Sequence, residues 1–291
     1  MRFENWQALG NDYLIVEHDA MPFPVTPARV RLLCERHRGV GADGVLLLSA
    51  PADPAHVADL RIFNPDGSEA ELSGNGAREA VLYLRRRGWT DRDEFSVHTA
   101  AGPIKPTITG LLTCRIELGQ ARLQSKDFPA GAADGVGELD RWRFQHVSIG
   151  NPQVAIRVPD AAALAALDLG QVGPPIEAHP DFPNRTNVSW YAELEPGPPA
   201  CIRARIFERG VGETLSSGTG ASGAAVAYLL DDRRRLLGAG PEGARVMVVL
   251  DGGELEVEVD PQLRVRLSGW ALPVFEGRLS EEFVGQLRQA A

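Results

Sequence analysis

A block of twenty residues that occurs twice constrains this chain more than any other feature. Residues 61–80 read RIFNPDGSEAELSGNGAREA and residues 205–224 read RIFERGVGETLSSGTGASGA; at a constant offset of 144, nine of the twenty positions are identical. Chance does not produce that agreement in ungapped blocks, so the chain is expected to contain two related halves. Each copy runs from an apolar stretch ending at Phe63 or Phe207, through a turn-rich loop, into Ser-Gly-x-Gly-Ala and an Ala-rich run. The pattern predicts two strand–loop–helix units, expected to face each other across one site.

The flanking sequence extends the duplication. Near the start, Gly10-Asn11 separates two strand-like runs, and Gly150-Asn151 separates two more in WRFQHVSIGNPQVAIRV; both pairs read as turns that present an asparagine. Thr26 and Pro27 predict the start of a helix that runs to Arg38 and closes at Gly39. The segment GVGADGVLLLSA reads as a glycine-rich loop feeding a buried strand, and it lacks the G-x-G-x-x-G spacing of a nucleotide site. Alternation over 92–118 predicts antiparallel strands, and 125–140 reads as an exposed loop or linker. Further on come a helix at DAAALAAL, the loop HPDFPNRTN, a strand VSWYAEL and, beyond the second block, a hairpin around Asp251-Gly252-Gly253. The C-terminal SEEFVGQLRQ predicts a short capped helix. The expected class is α+β: two pseudo-symmetric domains, each a mostly antiparallel sheet or barrel wrapped around a central helix. The first would cover 1–120, with 272–291 returning to it, and the second 121–271.

Composition narrows the function. A chain of 291 residues with 44% hydrophobic content is long enough for two cored domains. A net charge of −9 without a basic tail argues against nucleic acid as a partner. No apolar run of membrane-spanning length and no signal-peptide pattern occur, which predicts a cytoplasmic protein without membrane association. Lys105 and Lys126 are the only lysines, and neither lies beside a glycine-rich phosphate cradle, so a pyridoxal Schiff base is not expected. Cys34, Cys114 and Cys201 are widely spaced and form no C-x-x-C pair, which predicts free thiols rather than a metal site or a disulfide framework.

The repeated block carries the chemistry. Serine is a favoured helix N-cap, and the glycines after it let a ligand approach the backbone. The first-turn amides, with the positive end of the helix dipole behind them, bind anions; two such helix ends in one cleft would grip a carboxylate. Ser73 and Ser217 read equally well as caps and nothing more. Around them Asn11, Asn64, Asn75, Asn151, Asn187, Glu208 and Arg209 all sit at or beside turns next to strand ends. Each alone is a turn former; together they suit a small zwitterion with an amino group and a carboxylate, such as a free amino acid.

The stretches ALGNDYLIV, RHRGVGADGVLLL, RIFNPDGSEAELSGNGAR, SIGNP, FPNRTNV and IFERGVGETLSSGTGA resemble the diaminopimelate epimerases over nearly the whole chain. The resemblance implies cofactor-independent epimerisation of LL- to meso-diaminopimelate, a lysine and peptidoglycan precursor, with two pseudo-symmetric domains closing on the substrate. Two bases would stand on opposite faces of the α-carbon, with no pyridoxal or metal. It also implies substrate binding by Asn11, Asn64, Asn151, Asn187, Glu208 and Arg209, with the amides of Gly74, Asn75, Gly218 and Thr219 holding the α-carboxylate. A homodimer is compatible with the family, and the spacing does not decide it.

Three positions depart from the family pattern. Cysteine stands directly before each Gly-x-Gly in the family, whereas this chain has Ser73 and Ser217 at the two base positions. Histidine is common after Gly-Asn-Pro, where this chain has Gln153, which joins the binding residues. A thiolate is readily tuned at a helix N-terminus, whereas a serine hydroxyl needs a neighbouring base. His37, His146 and His179 lie near motifs, but sequence assigns none of them as that base. Three readings of the serines stand at this point: replacements introduced to trap a complex, a natural variant, or lost catalysis with amino-acid binding retained. A related isomerase or dehydratase acting on another amino acid is the alternative activity.

Overall fold

The computed structural model describes residues 1–231 and 243–290. The chain divides into two compact units: Met1–Ile116 with Trp270–Ala291, and Glu117–Gly269. The chain passes between them twice, each time inside a strand.

Unit 1 contains β1 (Arg2–Ala8), β2 (Asn11–Glu17), α1 (Pro27–Cys34), β3 (Gly44–Ser49), β4 (Ala58–Phe63), β5 (Glu69–Ala70), α2 (Gly74–Arg86), β6 (Val97–Thr99), β7 (Gly102–Ile104) and β8 (Pro106–Gly110). Strand β9 (Thr113–Gln120) pairs with β8 and carries the chain into unit 2. Unit 2 contains β10 (Val136–Leu139), β11 (Trp142–Ser148), β12 (Pro152–Arg157), α3 (Ala161–Ala165), α4 (Leu169–Glu177), β13 (Asn187–Glu195), β14 (Ala200–Glu208), β15 (Gly212–Thr214), α5 (Gly218–Asp231), β16 (Ala244–Leu250), β17 (Gly253–Val259) and β18 (Arg264–Trp270). The chain then adds β19 (Leu272–Arg278) against β1 and ends in α6 (Glu281–Gln289).

The two units repeat one pairing scheme. Unit 1 is ordered β19-β1-β2-β3-β4-β6-β7, with β5 on β4; unit 2 is ordered β10-β11-β12-β13-β14-β16-β17-β18, with β15 on β14. In each, a hairpin is followed by a parallel neighbour (β2 with β3, β12 with β13), then an antiparallel strand, then a second parallel neighbour (β4 with β6, β14 with β16). The fold is therefore α+β in two like units. Its sheets are mixed, because each parallel step is made through a long crossover, which local alternation does not encode.

The repeated block occupies equivalent places. Its Arg-Ile-Phe ends β4 or β14, and its last residues open α2 or α5. Two of the nine identities form an ion pair in each copy: Arg61 with Glu69 at 2.7 Å and Arg205 with Glu213 at 2.6 Å. These pairs fasten the short strands β5 and β15 onto β4 and β14, which fixes the loop before each helix.

Both helices are buried around most of their circumference. Asn75 to Leu84 of α2 are all buried, as is nearly all of α5 from Gly218 to Leu229. A helix apolar on every side, as α5 is, stabilises itself only by being surrounded; it packs against β11, β12, β13, β14, β16 and β17. On unit 1's sheet, Phe3, Leu14, Val16, Val45, Leu47 and Phe63 join Val30 and Leu33 of α1 and Leu287 of α6 in one apolar cluster. Its counterpart in unit 2 joins Phe144, Val154, Ile156, Val188 and Trp190 to Leu164 of α3 and Leu169 and Ile176 of α4.

Three local expectations change. The stretch 125–140, expected to be an exposed loop or linker, ends in β10, which pairs with β11. Helix α1 is capped by Thr26 as expected, Oγ1 accepting from Arg29 N at 3.3 Å, but it stops at Cys34 instead of Arg38. The Glu35 carboxylate takes the amides of His37 and Arg38 and turns the chain out of the helix. Helix α4 was not expected, since Pro174-Pro175 within it reads as a breaker; buried Leu169, Gly173 and Ile176 hold it.

Candidate functional site

In unit 1 the turn at Gly10, with φ +83°, sets Asn11 at the start of β2. Asn11 Nδ2 donates to Asp43 Oδ2 at 3.0 Å, and its Oδ1 accepts from Asn75 Nδ2 at 3.3 Å. Arg36 bridges Asp43 and Asp12 at 2.8 and 3.0 Å. From the helix side, Arg78 donates to Asn75 Oδ1 at 2.5 Å and to the Gly74 carbonyl at 3.1 Å. A continuous chain of hydrogen bonds thus orients Asn11 and Asn75 together. The glycine-rich loop before β3 supplies Asp43, an orienting residue. Asn64 closes its own turn, donating to Ser68 Oγ at 3.0 Å.

Ser73 caps α2 through Oγ, which accepts from Gly76 N at 3.1 Å, while Ala77 N–H goes to the Ser73 carbonyl. The amides at the first two helical positions belong to Gly74 and Asn75. Ser73 Oγ also accepts from the Tyr13 hydroxyl at 3.3 Å.

Arg78 and Glu79 follow one turn later and are completely buried. Removing two charges from water costs several kcal/mol per ion, and at Glu79 the Tyr13 backbone amide and the Arg78 charge offset only part of that cost. Burial accordingly pushes the Glu79 carboxyl well above its ordinary value, and lowers that of Arg78.

Unit 2 repeats the arrangement with other side chains. Gly150, at φ +79°, presents Asn151, whose Nδ2 donates to Thr219 Oγ1 at 3.2 Å; Thr219 occupies the place of Asn75. Gln153 is wholly buried, and its Nε2 donates to Asn151 Oδ1 at 2.8 Å and Thr219 Oγ1 at 3.1 Å. It therefore braces the two residues from behind. Asn187 Nδ2 donates to the Pro152 carbonyl at 3.2 Å, and its Oδ1 accepts from Arg209 N at 2.8 Å. The exposed Arg209 guanidinium donates to the Asn184 carbonyl at 2.9 Å.

Ser217 caps α5 in the same manner, Oγ accepting from Gly220 N at 3.2 Å and the carbonyl from Ala221 N at 2.9 Å. Its first two amides belong to Gly218 and Thr219. Its hydroxyl also bonds the carboxyl of Glu208, which accepts from Thr214 Oγ1 at 2.9 Å as well. Burial raises the Glu208 carboxyl above its ordinary value, and the bonds from Thr214 and Ser217 oppose that shift. Glu208, expected from sequence among the binding residues, thus stands at the Ser217 hydroxyl, an adjacency that sequence did not show.

Among the described residues none of His37, His146 and His179 bonds Ser73 or Ser217. His146 is fully buried against Phe128 and Phe182, Nε2 bonded to Ser125 Oγ at 3.0 Å, and burial pushes it down to about 4. His179 Nδ1 accepts from Asp181 N, and the His37 amide bonds Glu35. Cys34 and Cys114 are buried, with thiols pushed up to about 12, and Cys201 is half-buried. Among the described residues no helix is long and apolar enough to cross a membrane.

Several solved structures share the fold. A PhzF-family phenazine biosynthesis protein of Bacillus anthracis superposes with a TM-score of 0.69 at 20% identity, covering 96% of this chain and 99% of that one. A hydroxyproline epimerase of Agrobacterium vitis gives 0.62 at 17% identity, covering 95% and 91%. These likenesses define the fold, which is that of both neighbours. The family model for diaminopimelate epimerase matches residues 5–123 and 145–267. Diaminopimelate epimerases of Synechococcus sp. (strain JA-3-3Ab) and Desulforudis audaxviator are 38% and 40% identical to it, covering 97% and 96% of this chain and 99% of each relative. The chain belongs to the diaminopimelate epimerase family.

Proposed function

We propose that this chain interconverts LL- and meso-diaminopimelate with Ser73 and Ser217 as the two groups that exchange protons with the α-carbon. The observation that carries the reading is the Ser217–Glu208 bond. An isolated serine is a poor base, but a hydroxyl whose hydrogen is directed at a carboxylate passes that hydrogen on as it accepts another. In the forward step, the α-proton moves to Ser217 Oγ while the Ser217 hydrogen moves to Glu208. The electron pair left on the α-carbon takes the hydrogen of Ser73 on the opposite face. The amides of Gly74, Asn75, Gly218 and Thr219 bind the α-carboxylate and stabilise the charge that builds on it. Asn11, Asn64, Asn151, Asn187 and Arg209 hold the substrate's polar groups, with Gln153 bracing Asn151. No cofactor enters the scheme. We place the reaction in the cytoplasm, a reading supported by three unpaired thiols.

The test is direct conversion. LL-diaminopimelate incubated with the protein is expected to yield the meso isomer on chiral chromatography, with proline and the hydroxyprolines unchanged. Turnover of a hydroxyproline with no conversion of diaminopimelate would establish the related isomerase or dehydratase instead. Tight binding of diaminopimelate without conversion would indicate a binding protein.

A further inference from the structure

Ser73 and Ser217 occupy matching places but sit in different hydrogen-bond states. Ser217 directs its hydrogen at a carboxyl group. Ser73 Oγ instead receives two hydrogens, from Gly76 N at 3.1 Å and from the Tyr13 hydroxyl at 3.3 Å. A hydroxyl oxygen has two acceptor sites and one hydrogen, so both acceptor sites of Ser73 are occupied. Among the described residues nothing accepts the Ser73 hydrogen, which is thereby left for a ligand.

The fold sets the Tyr13 hydroxyl at that spot. Tyr13 lies on β2, beside Gly44 of the parallel strand β3. A Cβ at Gly44 would fall 2.5 Å from Tyr13 Cε1 and 2.4 Å from the Phe63 carbonyl oxygen. Only glycine admits the ring there, and the ring, which is 5% exposed, carries its hydroxyl to Ser73. No other phenol or carboxyl bonds Ser73 among the described residues.

We propose that Tyr13 is the positioning partner of Ser73, holding the proton that refills Ser73 each time Ser73 protonates the α-carbon. This rests on the two-serine reading above. As the Ser73 Oγ–H bond breaks and the new Cα–H bond forms, the Tyr13 O–H bond breaks and its hydrogen moves to Ser73 Oγ. The negative charge ends on the phenol oxygen instead of a serine alkoxide. A phenol ordinarily ionises near about 10, so charge on it is far cheaper than on an aliphatic hydroxyl. Ser217 then holds the proton taken from substrate, Glu208 holds the hydrogen that Ser217 passed on, and Tyr13 lacks one; exchange with water, or reaction in the reverse direction, restores all three. The resting enzyme is therefore polarised, with Ser217–Glu208 as the accepting side and Ser73–Tyr13 as the donating side.

Tyr13→Phe preserves the ring and removes the hydroxyl. The expected result is an α-proton exchange rate in deuterated water lowered by roughly 100-fold, the usual scale for a positioned acid or base. KM should stay within about threefold, and the basic limb of the kcat profile should vanish. A second measurement does not depend on turnover. In Ser73→Cys the new thiol should react with iodoacetamide at neutral pH, since burial raises all three native thiols. Adding Tyr13→Phe should slow that alkylation roughly tenfold, because the phenol no longer stabilises the thiolate. Exchange within threefold of the unmodified chain, or an alkylation rate indifferent to Tyr13, overturns the role of Tyr13 and leaves the two-serine reading intact. No exchange by the unmodified chain overturns that reading and this role with it.

Discussion

Replacing Glu208 with glutamine separates catalysis from stability at a single atom. The amide keeps the shape of the side chain and an oxygen for Thr214 Oγ1, which now donates at 2.9 Å. It removes the carboxylate that receives the Ser217 hydrogen. Ser217 then has to accept the α-proton without passing its own on. A positioned base contributes about 100- to 10,000-fold, or about 3–5 kcal/mol of barrier at 1.36 kcal/mol per decade. The kcat for conversion should fall by that factor, with KM nearly unchanged. Stability should move the other way. The folded-state carboxyl titrates above its ordinary value of 4.5 because burial disfavours its charge. Over the window from 4.5 up to the raised value, the unfolded chain has already lost its proton while the folded chain keeps it. Stability therefore falls as pH rises through that window and stays lower above it. Glu208→Gln removes the loss, so its melting temperature at pH 8 should equal or exceed that of the unmodified protein. Chiral chromatography and thermal unfolding at pH 5 and pH 8 measure both effects. Conversion within threefold of the unmodified chain would refute the Ser217–Glu208 mechanism, and a large drop in melting temperature would show that the carboxylate holds the fold.

Other perturbations test the surrounding network. Arg78→Ala leaves Glu79 and Asn75 without their buried partner and should destabilise the protein by about 3–5 kcal/mol, read by denaturant unfolding, whereas Glu79→Gln should be neutral or stabilising above pH 7. Asn187→Ala frees the Arg209 backbone and should raise KM about tenfold with a smaller change in kcat. His146 is held near 4 against an ordinary 6.5, so stability is expected to decline as pH falls from 6.5 to 4, by about 3 kcal/mol at 1.36 kcal/mol per unit. His146→Phe should flatten that decline in a series of melts across the same range.

The parts of this molecule legible in its sequence are those written locally or written twice. Serine before Gly-x-Gly announced two capped helices, and Gly-Asn announced two turns presenting asparagine, because each depends on residues adjacent in the chain. The hairpin at Asp251 followed from its turn residues, with Leu250 paired to Gly253. What escaped depends on distant residues meeting. The parallel pairings join strands separated by whole helices, so alternation within either strand carries no trace of them. The Arg61–Glu69 and Arg205–Glu213 pairs were visible as repeated identities, but only the β4–β5 and β14–β15 registers explain why both residues repeat. Glu208 was grouped with the binding residues because its neighbours are turn formers; its bond to Ser217 needs the fold. Tyr13 looked like one more strand aromatic, and Gly44 like part of a loop. Only their pairing across β2 and β3 gives Tyr13 its place at Ser73.

Deuterium incorporation at the α-carbon tests the central claim most directly. LL-diaminopimelate in deuterated water with the unmodified chain should gain deuterium at that carbon as the meso isomer forms, followed by proton NMR. Ser73→Ala and Ser217→Ala should each abolish formation of the meso isomer while still binding diaminopimelate. An unmodified chain that leaves the α-proton in place at high enzyme concentration, or a serine variant that still epimerises, would contradict the account.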